Sequence, residues 1–385
     1  MERILIIGGG GTGAALAHDL TLRGFHVSLF EKGEYFSGTT GRHHGLLHSG
    51  GRYAVGDAEA ARECIEENRI LRRLAPQAIE QNEGLFVALD EKDLEFSTPF
   101  IDACKVADIP IKILTAQQAL ALEPGLNPGL KLAIQVPDAT FDAWRLPLHF
   151  LATAKVNGAK LHHFTETIGI HTHSGTVNGI RVLDHTTGQE RDEFGDLVVN
   201  AAGAWSGRVT ALASVNVPIR PGPGVMVAIK QRVTNMVINR LHPAGEGDII
   251  VPQRKFSVLG TSLWLADDPD KEETPHEHIQ RMIDLCAEMV PEIPNISKHS
   301  AWSASRPLIG AGEYDNPQQI SRTFDCFDHK TKDNVEGFLS IIGGKATTLR
   351  AMAEKTADLV CQKLARDIPC KTKETPLVSY RRFYQ

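Results

Sequence analysis

The stretch RILIIGGGGTGAALAHDLTLRGFHVSLFEKG, residues 3–33, constrains the fold of this chain more than any other. Ile4 to Ile7 form a continuous apolar run, the pattern of a strand buried on both faces. Gly8, Gly10 and Gly13 then fit G-x-G-x-x-G. Ala14, Leu16, Ala17 and Leu20 give the next segment a helical apolar face, Gly24 closes it, and HVSLF is a second strand ending at Glu31. This order puts a helix N-terminus, with its unpaired N–H groups, beside a backbone that an anion can approach closely. Glu31 stands where a carboxylate accepts from a ribose 2′-hydroxyl, and a carboxylate there repels a 2′-phosphate. The stretch therefore predicts a bound dinucleotide without a 2′-phosphate and does not separate NAD from FAD. A glycine turn with no ligand is the plainer reading. The strand before it, the helix after it and the acid in place argue against that.

Length sets the organisation. A chain of 385 residues exceeds one ordinary core and predicts two structural units. The net charge of −6 offers no basic field, so nucleic acid is not an expected partner. No apolar run reaches the length of a membrane span. MERILIIGGGG enters a strand at once, and its apolar part is too short for a secretory signal, which predicts a cytoplasmic protein. Cys64, Cys104, Cys286, Cys326, Cys361 and Cys370 include no CxxC pair, which argues for free thiols rather than a zinc ribbon, a cluster or disulfides. No metal site is expected, because the histidines at 162–163 and 171–173 have no evident third ligand.

A second stretch, TTGRHHGLLHSGGRYAVGD at 39–57, sets Arg42, His43, His44, His48, Arg52 and Tyr53 among five glycines. Cations and imidazoles on so bare a backbone are expected to face a ligand rather than a core. Helices are predicted over 57–75 (stopped by Pro76), 96–107, 116–122, 146–157 and 276–289. Residues 175–193 read as a hairpin with TTGQ at its tip, and 220–265 as β-rich. GDLVVNAAGAW (195–205) is a buried strand running into a small-residue turn. Residues 337–365 repeat the opening logic: strand, Gly-Gly-Lys turn, helix. Residues 371–385 read as a polar tail.

Taken together, IIGGGGTGAALAHDL, TTGRHHGLLHSGGRYAVGDAEAARECIEEN, VPDATFDAWRL, VVNAAGAW, SASRPLIG, ISRTF and GGKATTLRAMAEK resemble the FAD-dependent glycerol-3-phosphate dehydrogenases. The likeness covers nearly the whole chain and is greatest to the catalytic subunit of the anaerobic bacterial enzyme. It implies a D-amino-acid-oxidase-like α/β fold, with a discontinuous Rossmann-like FAD-binding domain at 1–80, 145–215 and 330–370. A β-rich substrate or cap domain is implied at 81–144 and 216–329. FAD is the implied cofactor, with binding residues Gly8, Gly10, Gly13, Glu31, Lys32, Thr39, Thr40, Arg42, His44, Gly45, Leu47, Thr167, Ala202, Gly203, Trp205, Gly344, Lys345 and Thr347. Substrate positions implied by the likeness are Arg52, Tyr53, Arg306, Arg322 and Lys345. His48, Arg306 and Lys345 are the implied catalytic set. The residue types suit a phosphorylated alcohol: arginine and lysine supply the charge, and a histidine, His48 or His43, takes the hydroxyl proton.

Two departures keep alternatives open. The anaerobic relatives continue into a cysteine-rich C-terminal domain, and the aerobic type into a helical one; neither follows Gln385 here. The electron acceptor is thus open between a quinone, a partner electron-transfer subunit that could dock the chain at the inner face of the membrane, and direct oxidation. RPGPGVMV (220–227) also lacks the Gly-Ser pair of the relatives. A 2-hydroxy acid or an amino acid is the alternative substrate class, and a flavin subunit inactive without partners is the third reading.

Overall fold

The apolar run Arg3–Ile7 is strand β1, and it lies between two parallel neighbours. This is a computed structural model, and it describes residues 2–243, 245, 247–271, 273–310 and 323–385. Helix α1 (Gly11–Leu22) follows the glycine turn and leads into strand β2 (His26–Phe30). The sheet has six strands, in the order Phe324–Asp328, Phe338–Gly343, Leu197–Asn200, β1, β2 and Lys160–His162. All pair in parallel except Phe324–Asp328, which runs antiparallel on one edge. The register sets Ile4 opposite both Leu197 and Val27, so the apolar faces of three strands coincide. Helix Arg145–Val156 and the final helix Leu349–Lys363 pack against α1 on one face.

A second sheet of eight strands draws on residues 84–136 and 219–309. Its longest ladder joins Ile219–Ile229 to Lys298–Ile309, with Gly222 opposite Arg306 and Gly224 opposite Ala304. The expected hairpin forms from Thr176–Asp184 and Gln189–Phe194, and Thr165–His173 adds a third strand to it.

Helix α2 (Thr39–Arg42) and helix α3 (Ala58–Leu74) bracket the glycine-rich stretch. Asp57 caps α3 by accepting from the Ala60 N–H, and the helix stops ahead of Pro76 as expected. The helix expected at 96–107 runs Glu91–Val106, because Asp90 and Asp93 form a reciprocal cap that starts it a turn earlier.

Two boundaries differ from the expectation. Residues 324–328 pair with the six-stranded sheet and not with the cap sheet. The closing segment is docked, not a loose tail: Leu377 N–H donates to Leu74 O, Val378 N–H to Thr153 Oγ1, and Phe383 packs on Tyr35. Backbone groups that bond to earlier elements compensate for its polar composition, which periodicity does not register.

One core residue is unusual. His18 of α1 is fully buried edge-on against Phe150, and neither ring nitrogen has a hydrogen-bond partner among the described residues. Burial pulls its pKa down to about 4. The unfolded chain therefore binds a proton between about pH 6.5 and 4 that the native chain refuses. Stability should fall by about 3 kcal/mol over that window, and His18→Leu should flatten the fall. Thermal melts of both proteins from pH 7.5 to 4.5 check this; parallel acid limbs would contradict it.

Candidate active site

A cavity of 1260 Å³ runs from the N-terminus of α1 to the cap sheet. That exceeds the roughly 300–1,000 Å³ of an ordinary single-ligand pocket. At one end it is bordered by Gly8, Gly10, Gly11 and Thr12. Gly8 holds φ +109°, and a Cβ on Gly13 would lie 2.0 Å from Gly8 O, so the turn and the helix can close on each other only as glycines. The Gly11 N–H donates to Thr40 Oγ1 at 2.9 Å, which ties the fingerprint to α2. Glu31 accepts from Gly9 N–H at 2.7 Å and Gly33 N–H at 2.9 Å, one on each oxygen. A carboxylate offers about four lone-pair sites, so acceptor capacity remains for ribose hydroxyls.

Helix α2 is clamped from both sides. Trp144 Nε1–H donates to Gly41 O and Trp302 Nε1–H to Arg42 O, while the Thr39 hydroxyl donates to Ser305 O. Trp302 and Ser305 belong to the cap-sheet strand Lys298–Ile309 and Trp144 precedes helix Arg145–Val156, so α2 is held between the cap sheet and the nucleotide unit.

At the far end stand His44, His48, Arg52, Tyr53, Arg306 and Lys345. Arg306 lies across the neighbouring strand: Nη1 donates to Gly222 O and Ser262 O, and Nη2 to Thr261 Oγ1. A Cβ on Gly224 would lie 2.6 Å from that Nη1 and 2.1 Å from Ser262 O. Gly224 of RPGPGVMV is thus what lets the guanidinium occupy this position. Arg52 Nη2 donates to Asp248 Oδ1 at 2.9 Å. Lys345 Nζ sits 5.1 Å above the centre of the Tyr53 ring, and the His48 ring is 5.3 Å from it. The His48 backbone N–H donates to Thr347 Oγ1, joining the glycine-rich stretch to the turn before the last helix.

The two other histidines are neutral. Burial pulls His43 down to about 4. Burial, then the charges of His48, His43, Arg306 and Arg52, lowers His44 well below its usual value. In each, Nδ1 accepts a backbone N–H, from Gly45 and Leu46 respectively. A neutral ring that accepts at Nδ1 carries its proton on Nε2. His43 and His44 therefore present donors at Nε2, which disfavours His43 as the proton acceptor.

Of the residues singled out from the sequence, Gly8, Gly10, Glu31, Lys32, Thr39, Thr40, Arg42, His44, His48, Arg52, Tyr53, Thr167, Ala202, Gly203, Trp205, Arg306, Gly344 and Lys345 border this cavity. Gly13, Gly45, Leu47 and Thr347 do not: Gly13 packs under Gly8, Gly45 against Gln253 and Phe141, Leu47 in the core, and Thr347 under His48. Arg322 lies outside the described residues. His242 also borders the cavity and carries no sequence signal, since RLHPAG matches no motif.

A dinucleotide fits these walls. Thr167 Oγ1 is buried beside the cavity with no hydrogen-bond partner among the described residues, and the α1 N-terminus opens onto the same space. The chain belongs to the FAD-dependent oxidoreductase family (DAO), whose description matches residues 3–359. Over 97% of its length it is 41% identical to one subunit of the anaerobic glycerol-3-phosphate dehydrogenase of Haloferax volcanii. It is 39% identical, again over 97%, to the like-named subunit of the Escherichia coli K12 enzyme. It spans 66% and 69% of those two relatives. The fold is shared with the Bacillus halodurans glycerol-3-phosphate dehydrogenase solved with FAD (TM-score 0.75, 24% identity, 98% of this chain and 68% of that one). It is shared equally with glycine oxidase from Geobacillus kaustophilus (TM-score 0.78, 19% identity, 98% and 99%).

Gly13→Ala should weaken FAD retention about 5- to 150-fold, the equivalent of the roughly 1–3 kcal/mol that overpacking costs. The flavin-to-protein absorbance ratio after gel filtration reads this out; an unchanged ratio would show that the glycine contact is dispensable.

Proposed function

We propose that this chain oxidises the C2 hydroxyl of glycerol 3-phosphate to the ketone of dihydroxyacetone phosphate. The observation that carries the reading is the continuity of one cavity from the α1 N-terminus to the cationic end at Arg52, Arg306 and Lys345. A phosphomonoester needs more donors than a lone carboxylate, and arginine with lysine supplies them. FAD, when bound, supplies the two-electron oxidant that takes the C2 hydride. Arg306, held by its three strand contacts, orients the substrate. His48 accepts the hydroxyl proton as the C=O bond forms. Lys345 adds positive charge where negative charge grows. Arg322 is proposed as a further cation on the strength of the resemblance.

The relatives at 41% and 39% identity are named as subunits, which supports delivery of the electrons to a separate carrier, a partner subunit or a quinone at the inner face of the membrane. Among the described residues no helix is long and apolar enough to cross a membrane.

Anaerobic addition of glycerol 3-phosphate to the FAD-loaded chain tests the reading. Bleaching of the flavin bands, with turnover once a dye acceptor is added, is the expected result. Bleaching by a 2-hydroxy acid or an amino acid alone would overturn the substrate class. Absence of flavin after reconstitution would overturn the cofactor.

A further inference from the structure

Behind Arg52 lies an arrangement that the proposed chemistry has not used. Asp248 is buried and stands between two cations that border the cavity. Its Oδ1 accepts from Arg52, and its Oδ2 faces His242 Nε2. The other ring nitrogen of His242, Nδ1, is 2.6 Å from Pro243 O. A carbonyl only accepts, so Nδ1 carries a proton. An ionised carboxylate only accepts, so a proton on Nε2 is what suits it to this neighbour. Both ring nitrogens of His242 thus face acceptor oxygens, an arrangement that favours the imidazolium.

The charges then add simply. Arg52 and Asp248 alone sum to zero, and Arg52 would offer an incoming anion little net attraction. With His242 protonated the three sum to +1. We infer that His242 is a positioning residue for anionic substrate: by neutralising Asp248 from the far side, it keeps Arg52 electrostatically available to the substrate's phosphate. The inference rests on the phosphorylated-substrate reading and adds to it the group that sets the charge of that end.

The electrostatics agree in direction. Burial works against the charge on His242, but Asp248 outweighs it and raises the imidazole above its usual value. Burial also works against ionised Asp248, yet Arg52 and His242 bring its carboxyl down to about 2. The charged groups facing His242 are thus Asp248 from its own loop and Arg52 from the turn Gly51–Tyr53. From helix His276–Met289, the buried Cys286 thiol is held neutral, and Glu288 is engaged by Arg240. Asp57 and Lys345 border the same cavity. Since the folded pKa of His242 is raised, its charge persists to higher pH than that of an ordinary imidazole and is lost as pH rises further.

The test uses sulfate, a dianion whose charge does not change across the range, titrated into the FAD-loaded chain at pH 6 and pH 9 by thermal shift. Wild type should bind sulfate about tenfold more weakly at pH 9, the effect of one unit charge about 6 Å from a dianion at a dielectric near that of water, about 80. His242→Gln should bind weakly at both values. His242→Gln with Asp248→Asn removes one charge of each sign, returns the sum to +1, and should recover tight binding at both. A merely structural role would make the two substitutions additive. In steady state, His242→Gln should raise KM for glycerol 3-phosphate about tenfold with little change in kcat, by the same one-charge estimate. Equal sulfate binding by wild type and His242→Gln at pH 6, or a double variant no tighter than the single, overturns the inference. The sulfate titration does not need turnover, so failure to oxidise glycerol 3-phosphate would count against the substrate reading separately.

Discussion

Replacing Arg306 with methionine should lower kcat/KM for glycerol 3-phosphate about a thousandfold. Two charge-assisted hydrogen bonds from one guanidinium are together worth about 4 kcal/mol, and each 1.4 kcal/mol is a factor of ten. Arg306→Lys should recover little. The contacts to Gly222 O, Ser262 O and Thr261 Oγ1 fit a planar fork with several donors and not a point charge. Gly224→Ala provides the independent check. Its new Cβ would meet Ser262 O and Arg306 Nη1, so the guanidinium must move although the arginine is still present. Both variants should keep their flavin spectrum. Steady-state kinetics with a dye acceptor decides the matter: a loss under about tenfold in Arg306→Met would remove this residue from substrate handling.

The second large effect concerns stability. Arg350, the largest fully buried side chain among the described residues, donates through Nε and Nη2 to Glu67, and through Nη1 to Glu354 and Thr372. This network joins α3, which leaves the glycine-rich stretch, to the last helix, which begins just after Lys345. Glu67→Gln leaves a buried guanidinium short of one carboxylate. The cost of breaking such a pair is about 3–5 kcal/mol, and the remaining Glu354 places it at the lower end. With unfolding entropy of about 2.1 cal/mol/K per residue, 3 kcal/mol lowers Tm by about 4 °C. Flavin should also be lost more readily, because the His48–Thr347 contact joins the segments that lead into the same two helices. Replacing Glu67 and Arg350 together by methionine should recover most of the loss, since an apolar pair leaves no unpaired charge. Differential scanning calorimetry of the three proteins checks this, and an unchanged Tm in Glu67→Gln would refute it.

The N-terminal unit is legible in the sequence because its signals are local. Four apolar residues in a row and glycines at 8, 10 and 13 act through neighbours a few residues away, and the acid at 31 follows within the same strand–helix–strand unit. Helix periodicity places α3, Arg145–Val156 and His276–Met289 within a residue or two for the same reason. The start of Glu91–Val106 escapes it because a reciprocal aspartate cap, not an apolar face, begins that helix. RPGPGVMV reads as a departure from the relatives. In the structure it is the strand whose missing side chain at Gly224 admits Arg306, a relation between residues more than 80 positions apart.

The sequence alone determined the dinucleotide turn, the alternation of helices with buried strands, and which residues carry charge, since backbone preference and hydrophobic period are written over short windows. Only the tertiary structure decided which charges meet. Asp248 reaches Arg52 from 196 positions away, Glu67 reaches Arg350 from 283, and both histidines at 43 and 44 become neutral. Burial and pairing set these charges, and both are properties of surfaces brought together by the fold rather than of any segment within it.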